Sequence, residues 1–267
     1  MNDRFLASFK RWSPPAVYDA VKWTFGTHFA GDYASWAQAR ENCTGYDGAA
    51  ILRRVVETTR DVVAGRVAAE RDAIPLPKVE YSWPLLASLL FVACQEAGAL
   101  RVADFGGSLG STYRQNLRFL TGIKQLSWAV VEQPDFIAAG KREFENETLK
   151  FFDTLEAAFE AIRPNVVLLS GVIQYLEQPH AMLDRIFALK PSFVVLDRTP
   201  LIDAPKDRLT VQTVSKRIYP GSYPAWFFAR GPLLKRFEAD YELIEMFESG
   251  DRANISSQYV GGLFKRR

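Results

Sequence analysis

The stretch 102-VADFGGSLGSTYRQNLRFL-120 sets three glycines and two serines between an apolar run and an amphipathic segment. A strand-to-helix turn of this composition brings backbone close to a ligand. The dinucleotide fingerprint needs glycines at the first, third and sixth positions of G-x-G-x-x-G. Counted from Gly106 those positions are Gly106, Ser108 and Ser111, and counted from Gly107 the third is Leu109. A P-loop needs G-x-x-x-x-G-K-[ST], and no lysine follows here. Both nucleotide templates fail.

What remains is Asp104-x-Gly106-x-x-x-Gly110, an acid at the end of a strand and then a tight turn. That pattern suits a ligand with a cationic group that needs no phosphate cradle. S-adenosylmethionine (SAM) carries an ammonium, a sulfonium, a carboxylate and a ribose diol. The competing reading is a plain strand-to-helix turn whose glycines only satisfy backbone geometry.

From residue 98 onward strands alternate with helices, which implies a parallel sheet. The strands read at 100-LRVADF-105, 126-LSWAVVE-132, 148-TLKFFD-153, 165-NVVLLS-170 and 192-SFVVLD-197. Helical segments fall near 112–120, 134–144, 154–162 and 179–189. A helix at 231–238 leads to 241-YELIEMFES-249 and 257-SQYVGGLFKR-266, and two strands this close pair as an antiparallel hairpin. The expected fold is α/β: a Rossmann-like seven-stranded mixed sheet with a C-terminal antiparallel hairpin.

Residues 1–80 lack strand-like alternation and read as a helical N-terminal extension or lid, ahead of a SAM-binding domain over 81–267. Within the extension, 47-DGAAILRRVVETTRDVVAGRVAAERD-72 carries Ile51, Leu52, Val55, Val56, Val62 and Val63 at helical spacing, before Pro75 and Pro77 break the chain. The uncharged run 81-YSWPLLASLLFVACQ-95 reads as a buried helix starting after Pro84. It is too short for the roughly 20 residues that span a bilayer.

In open α/β sheets ligands bind outside the carboxyl ends of the strands, near the topological switch point. The first strand ends at Asp104-Phe105-Gly106, and Gly107, Ser108, Gly110 and Ser111 complete the candidate cofactor loop. The second ends at Glu132, beside Gln133, where a carboxylate can accept both ribose hydroxyls; the bland alternative is a solvated acid next to Pro134. The third ends at Phe152-Asp153, which can flank an adenine ring, although Asp153 serves equally as the N-cap of the next helix. Ser170 closes the fourth and Asp197-Arg198 the fifth. The joint placement of these residues on one edge is what favours SAM.

Methyl transfer is an in-line displacement, so positioning the nucleophile does most of the work. Gln174 and Tyr175, after the fourth strand, are expected beside the transferring methyl. Tyr175, His180 and Asp197 are candidate proton acceptors, while Arg198 is a candidate clamp for an anion, with a structural Asp-Arg pair as the alternative. The segment 216-KRIYPGSYPAWFFARGP-232 reads as a shaped loop in which Tyr219, Tyr223, Trp226 and Phe227 offer stacking surface for an acceptor, or else cover a core edge. Trp23, Trp36 and Tyr46 mark the lid opposite.

From about Gly31 to the C-terminus the chain resembles a family of bacterial class I, Rossmann-like SAM-dependent methyltransferases. The resemblance rests on 45-GYDGAAIL-52, 103-ADFGGSLGS-111, 130-VVEQP-134, 170-SGVIQYLEQP-179, 197-DRTP-200 and 219-YPGSYPAWFF-228. It implies that the Asp104–Ser111 loop and Glu132 bind SAM. It also implies a link to cell-surface polysaccharide biosynthesis, and hence a glycan acceptor. Where the broader methyltransferase pattern has a central glycine in the loop, this chain has Ser108.

Composition sets the outer bounds. A net charge of +2, with a basic cluster only at Lys265-Arg266-Arg267, makes no case for a nucleic-acid partner. Two distant cysteines, Cys43 and Cys94, point to a reducing compartment, and two histidines, His28 and His180, argue against a metal site. The N-terminal MNDRFLASFKRW is no signal peptide, so a cytoplasmic protein is expected. The expected activity is methylation, on oxygen, of a small molecule or glycan. A non-catalytic SAM-binding scaffold is the rival, and an NAD-dependent oxidoreductase is disfavoured by the failed fingerprint.

Overall fold

The computed structural model of the chain describes residues 27–45, 48–71, 74–214 and 221–267. Their contacts divide into two units: a smaller one built from 27–45, 209–214, 221–225 and 253–256, and a larger one that takes the rest. The smaller begins with strand β1 (His28–Ala30) and helix α1 (Trp36–Glu41), whose N-cap Ser35 accepts a hydrogen bond from the Gln38 N–H (3.2 Å).

The larger unit opens with α2 (Gly48–Val63), which buries Val55 and Val56. The helix stops at Val63 rather than running to residue 72, because the backbone N–H groups of Arg66 and Val67 fold back onto the Asp61 carbonyl (2.8 and 3.3 Å). A two-stranded hairpin, β2 (Ala69–Arg71) and β3 (Ile74–Leu76), follows. The expectation of an all-helical 1–80 is thus corrected at β1, β2 and β3. Each has only three residues, too few for an alternating pattern to register.

Next come α3 (Trp83–Gln95), β4 (Ala99–Phe105), α4 (Ser111–Leu120), β5 (Gln125–Val131), α5 (Pro134–Glu143), β6 (Leu149–Phe152) and α6 (Leu155–Ile162). Strand β7 (Val166–Ser170), α7 (Pro179–Ala188) and β8 (Phe193–Ile202) continue the βα alternation. Then follow β9 (Arg208–Thr213), β10 (Ser222–Ala229), α8 (Arg230–Phe237), β11 (Tyr241–Glu248) and β12 (Gln258–Arg266). No helix among the described residues is long and apolar enough to cross a membrane.

In the larger unit the strands run β6-β5-β4-β7-β8 in parallel, with β12 antiparallel to β8 and β11 antiparallel to β12. This is the expected seven-stranded mixed sheet with its terminal hairpin. The crossover reverses between β4 and β7, so the switch point lies at their carboxyl ends. The last residues of β10 add to the far end of β8, Phe228 opposite Leu201 and Ala229 opposite Ile202. In the smaller unit β1 pairs antiparallel with β9.

Period-two alternation assigns the faces. Val102, Val130, Leu168 and Val195 point into one apolar cluster with α3 residues such as Leu86 and Leu89, while Ala103, Ala129, Val167 and Val194 point into the other. Counting on by two from the first set gives Asp104, Glu132, Ser170 and Asp197. Four polar side chains therefore leave four neighbouring strands on a single face of the sheet, three at strand ends and Asp197 partway along β8.

Two sequence expectations are overturned around β8. The strand does not end at Asp197 but runs on to Ile202. Where β7 stops, Asp197 and Arg198 both oppose Gly261 of β12, a bulge that shifts the register and leaves Arg198 left-handed at φ 54°. The expected shaped loop over 216–232 is likewise replaced, in its described part, by a strand and a helix: Ser222 to Ala229 form β10 and the residues from Arg230 begin α8.

Candidate active site

The glycine loop is built by close approach. The Gly106 N–H donates to the Val131 carbonyl (2.9 Å), carrying β4 one step beyond its last pairing with β5. Gly106 is left-handed (φ 74°), and a Cβ there would run into the Val172 side chain, so the turn after β7 packs directly on the loop. A Cβ on Gly107 would lie 2.5 Å from the Asp104 carboxyl carbon. The loop thus lies flat across the acid that precedes it.

Ser108 occupies the seat where a glycine is usual, and its backbone is left-handed (φ 54°). For a residue with a Cβ that conformation costs about 1–2 kcal/mol. The same geometry lets the Ser108 N–H donate to Glu132 Oε1 (3.3 Å), which offsets part of the cost. Gly110, at φ 85°, caps α4, and Ser111 at its first turn hydrogen-bonds the Glu70 carboxylate of β2. The departure at Ser108 leaves the path of the loop intact.

Asp104 is buried, and its Oδ2 accepts the Trp128 indole N–H (3.0 Å). Burial pushes its carboxyl up to about 7, the indole N–H opposes that rise, and the neighbouring Glu132 charge adds to it. No sequence motif marks Trp128. The signal that finds it is parity, since Trp128 stands two residues before Val130 on β5 and so faces the same side as Asp104.

Glu132 is no solvated acid. Its Oε1 takes the Ser108 N–H and its Oε2 the Gln133 N–H (2.8 Å), while burial raises its pKa against these two bonds. The Gln133 side chain itself is exposed at the N-terminus of α5. At the third strand end Phe152 is half-buried and Asp153 exposed. The N-cap of α6 is Thr154, whose hydroxyl accepts the Ala157 N–H (3.1 Å), so Asp153 is free of the capping role the sequence allowed it.

Beyond the switch point, Ser170 donates its hydroxyl to Asp197 Oδ2 (2.7 Å), and Gln174 donates its amide to the Arg198 carbonyl (3.3 Å). Arg198 makes a bidentate pair with Asp251 (2.9 and 3.3 Å), and its charge also acts on the neighbouring Asp197 carboxyl. Tyr175 is half-buried in the short 3-10 turn Ile173–Tyr175; the Tyr259 hydroxyl pKa is raised chiefly by burial, with Tyr175 adding to the rise. Trp226 donates its indole N–H to the Leu176 carbonyl (3.0 Å), which fastens the turn after β7 to β10.

The strand order, the glycine loop at the switch point and the acid closing β5 can now be set beside known proteins. No protein-family model matches the chain, and no curated protein sequence does either. Among solved structures, the N-terminal domain of EvdMO1, crystallised in the presence of S-adenosylhomocysteine (SAH) and D-fucose, shares 16% identity at a TM-score of 0.51, covering 84% of this chain and 98% of its own. The same domain with SAH bound gives the same figures. Magnesium protoporphyrin IX methyltransferase (ChlM) from Synechocystis PCC 6803, with bound SAM, shares 11% identity at a TM-score of 0.46 over 84% of this chain and 99% of its own. The fold is the Rossmann-like methyltransferase fold.

Within the methyltransferase fold the remaining candidates separate. His180, at the start of α7, is held through Nε2 by Asp207 Oδ2 (2.6 Å), and Asp207 also accepts the Ala229 N–H (2.7 Å). With its ring edge-on to Phe228 (6.0 Å), His180 ties α7 to the end of β10. Tyr223 belongs to the smaller unit, where its hydroxyl accepts from Gln212 (3.1 Å). Phe227 is fully buried, which makes it core cover. Tyr219, Trp23 and Tyr46 lie outside the described residues.

Proposed function

We propose that the chain is a SAM-dependent methyltransferase acting on oxygen of a small-molecule or glycan acceptor, with residues 81–267 as the cofactor-binding part. The observation that carries this reading is Glu132, set at the end of β5 with one backbone N–H on each carboxylate oxygen. A carboxylate has about four lone-pair sites, so both oxygens keep capacity for the two hydroxyls of a ribose. Gly106 and Gly107 leave a loop with no side chain on its approach, and the buried Asp104 carboxyl beneath it supplies the negative partner a cationic amino-acid group needs. The residues present fit SAM.

Bound there, SAM would supply an electrophilic methyl on its sulfonium. The protein's part is positioning. The Gly106–Ser111 loop holds the amino-acid end, Glu132 the ribose, and Phe152 with Asp153 offers an apolar face and an acceptor to the base. The turn carrying Gln174 and Tyr175, packed on Gly106 through Val172, lies on the transfer side. The resemblance seen in the sequence supports a place in cell-surface polysaccharide biosynthesis, in the cytoplasm.

Calorimetry with SAH tests the reading. Glu132→Ala removes a charge-assisted pair of hydrogen bonds and should weaken SAH binding about tenfold to a hundredfold, 1.5–3 kcal/mol, with the fold retained. Normal SAH binding by the variant, or tighter binding of NAD than of SAH by the parent, would overturn it. SAH binding without transfer to any of a panel of nucleotide sugars and glycans would instead mark a SAM-binding scaffold.

A further inference from the structure

The turn after β7 and the bulged part of β8 share buried acceptor atoms that cofactor binding leaves unused. Gln174 is 4% exposed and Asp197 2%. Gln174 spends its amide N–H on the Arg198 carbonyl, while its buried Oε1 has no hydrogen-bond partner among the described residues. Asp197 takes the Ser170 hydroxyl on Oδ2, while its buried Oδ1 is likewise unpartnered. An unfilled buried acceptor costs about 1–3 kcal/mol. The buried Asn165 amide, by contrast, is bonded at both ends, to the Arg101 N–H and to the Ala99 carbonyl (2.9 and 2.8 Å); Asn116 Oδ1 is open too, but Gln174 and Asp197 are open in one linked stretch.

Both open atoms require a donor, and they sit in one knot of chain. Gln174 binds the carbonyl of the residue that follows Asp197, and the Gly171 N–H donates to the Asp197 carbonyl (2.9 Å). The knot abuts the cofactor loop, because Val172, between Gly171 and Gln174, fills the space a Gly106 Cβ would take. The left-handed Arg198 and the bulge opposite Gly261 are backbone distortions of the kind that gather where a side chain must be aimed. Arg198 pairs with Asp251, and both open atoms are acceptors, so the substrate groups this knot suits are neutral donors rather than anions.

We propose that Gln174 Oε1 and Asp197 Oδ1 form the acceptor side of the site, receiving hydrogen-bond donors of a neutral hydroxylated substrate, with Asp197 taking the proton of the hydroxyl that is methylated. The proposal rests on the methyltransferase reading above. In the step, the acceptor O–H bond gives its proton to Asp197 Oδ1 as the oxygen forms a bond to the methyl carbon. The carbon–sulfur bond breaks and its electron pair stays on sulfur, leaving SAH, a methyl ether and a protonated Asp197 that releases its proton to solvent. Burial, with the Asp251 charge, raises the Asp197 carboxyl above the ordinary range against the Ser170 bond and the Arg198 charge and N–H, which brings it nearer the value a general base needs.

Sinefungin provides a test without knowing the acceptor, since it carries a C–NH3+ group where SAM has its sulfonium methyl. Calorimetry on the full chain should find sinefungin at least about tenfold tighter than SAH, the gain of one charge-assisted bond. Asp197→Asn and Gln174→Leu should each erase most of that preference while SAH affinity stays within about twofold of the parent. Equal weakening of both ligands, or an undiminished preference in both variants, overturns the proposal. A parent chain that binds neither ligand overturns the methyltransferase reading itself. If Asp197→Asn fails to fold, Gln174→Leu alone decides, by the same ratio.

Discussion

Replacing Asp104 by asparagine should change how stability depends on pH, and the size of the change follows from the burial of that acid. In the folded chain its carboxyl is pushed up to about 7, against an ordinary value of 3.8. The folded state therefore binds the proton more tightly than the unfolded chain. Its stabilising contribution is fully present below about pH 4 and is lost as pH rises through about 7. A shift of this size corresponds to about 4 kcal/mol in all, of which about 3 kcal/mol falls between pH 5 and pH 8. Asparagine keeps an oxygen for the Trp128 N–H but cannot ionise, so any fixed cost of its amide is the same at both pH values. Urea unfolding of the two chains without cofactor should show the variant gaining about 3 kcal/mol on the parent between pH 5 and pH 8, or roughly 6–12 °C in Tm. Taking the difference between the chains cancels the burial of Asp197, while Glu132, freed of the neighbouring Asp104 charge, ionises more easily in the variant and adds to the gap in the same direction. Parallel stability curves across that range would refute the reasoning and mean that Asp104 is ionised without penalty where it lies.

Trp128→Phe keeps a ring against Tyr113, whose centroid is 5.7 Å away, but deletes the N–H that the Asp104 carboxyl accepts. It should cost about 1.5–3 kcal/mol at pH 8, where the acid is charged, and distinctly less at pH 5, measured by urea unfolding. Gly107→Ala forces a Cβ to within 2.5 Å of the Asp104 carboxyl carbon, so the loop must lift. SAH affinity by calorimetry should fall at least about tenfold while far-ultraviolet circular dichroism stays that of the parent.

Asp104 and Glu132 were legible because sheet parity and strand ends are local patterns. Each acid closes a short apolar run, and the period of two puts both on one face. The extension of β8 was hidden by Arg198 and Pro200, which read as a break. Proline is tolerated there because β7 ends at Ser170, opposite Asp197, leaving no β7 neighbour for the missing N–H. Strand β10 was masked in the same way by Pro220, Gly221 and Pro224, whose composition signals a loop. The partners of the polar side chains left no local trace. His180 meets Asp207 across 27 positions and Arg198 meets Asp251 across 53, and no spacing rule links residues so far apart. Ser108 had a different difficulty: its left-handed backbone belongs to a seat that sequence patterns reserve for glycine.

The pairing of β12 with β8 also governs when this molecule can be finished. Seven of the ten residues of β8 find partners on β12, between Phe193 and Leu201, and β12 leaves the ribosome some sixty residues later. Until it arrives, a nascent chain holding β4 to β8 carries an open strand edge flanked by Phe193, Val194 and Val195, the kind of edge on which another chain can nucleate aggregation. The bulge at Asp197 and Arg198 is defined by two registers on β12, so that acid takes its final aim only when this late strand zips home. Synthesis that pauses between β8 and β12 would leave an assembled glycine loop beside an unaimed acid, and a chaperone that shields strand edges would matter most in that interval.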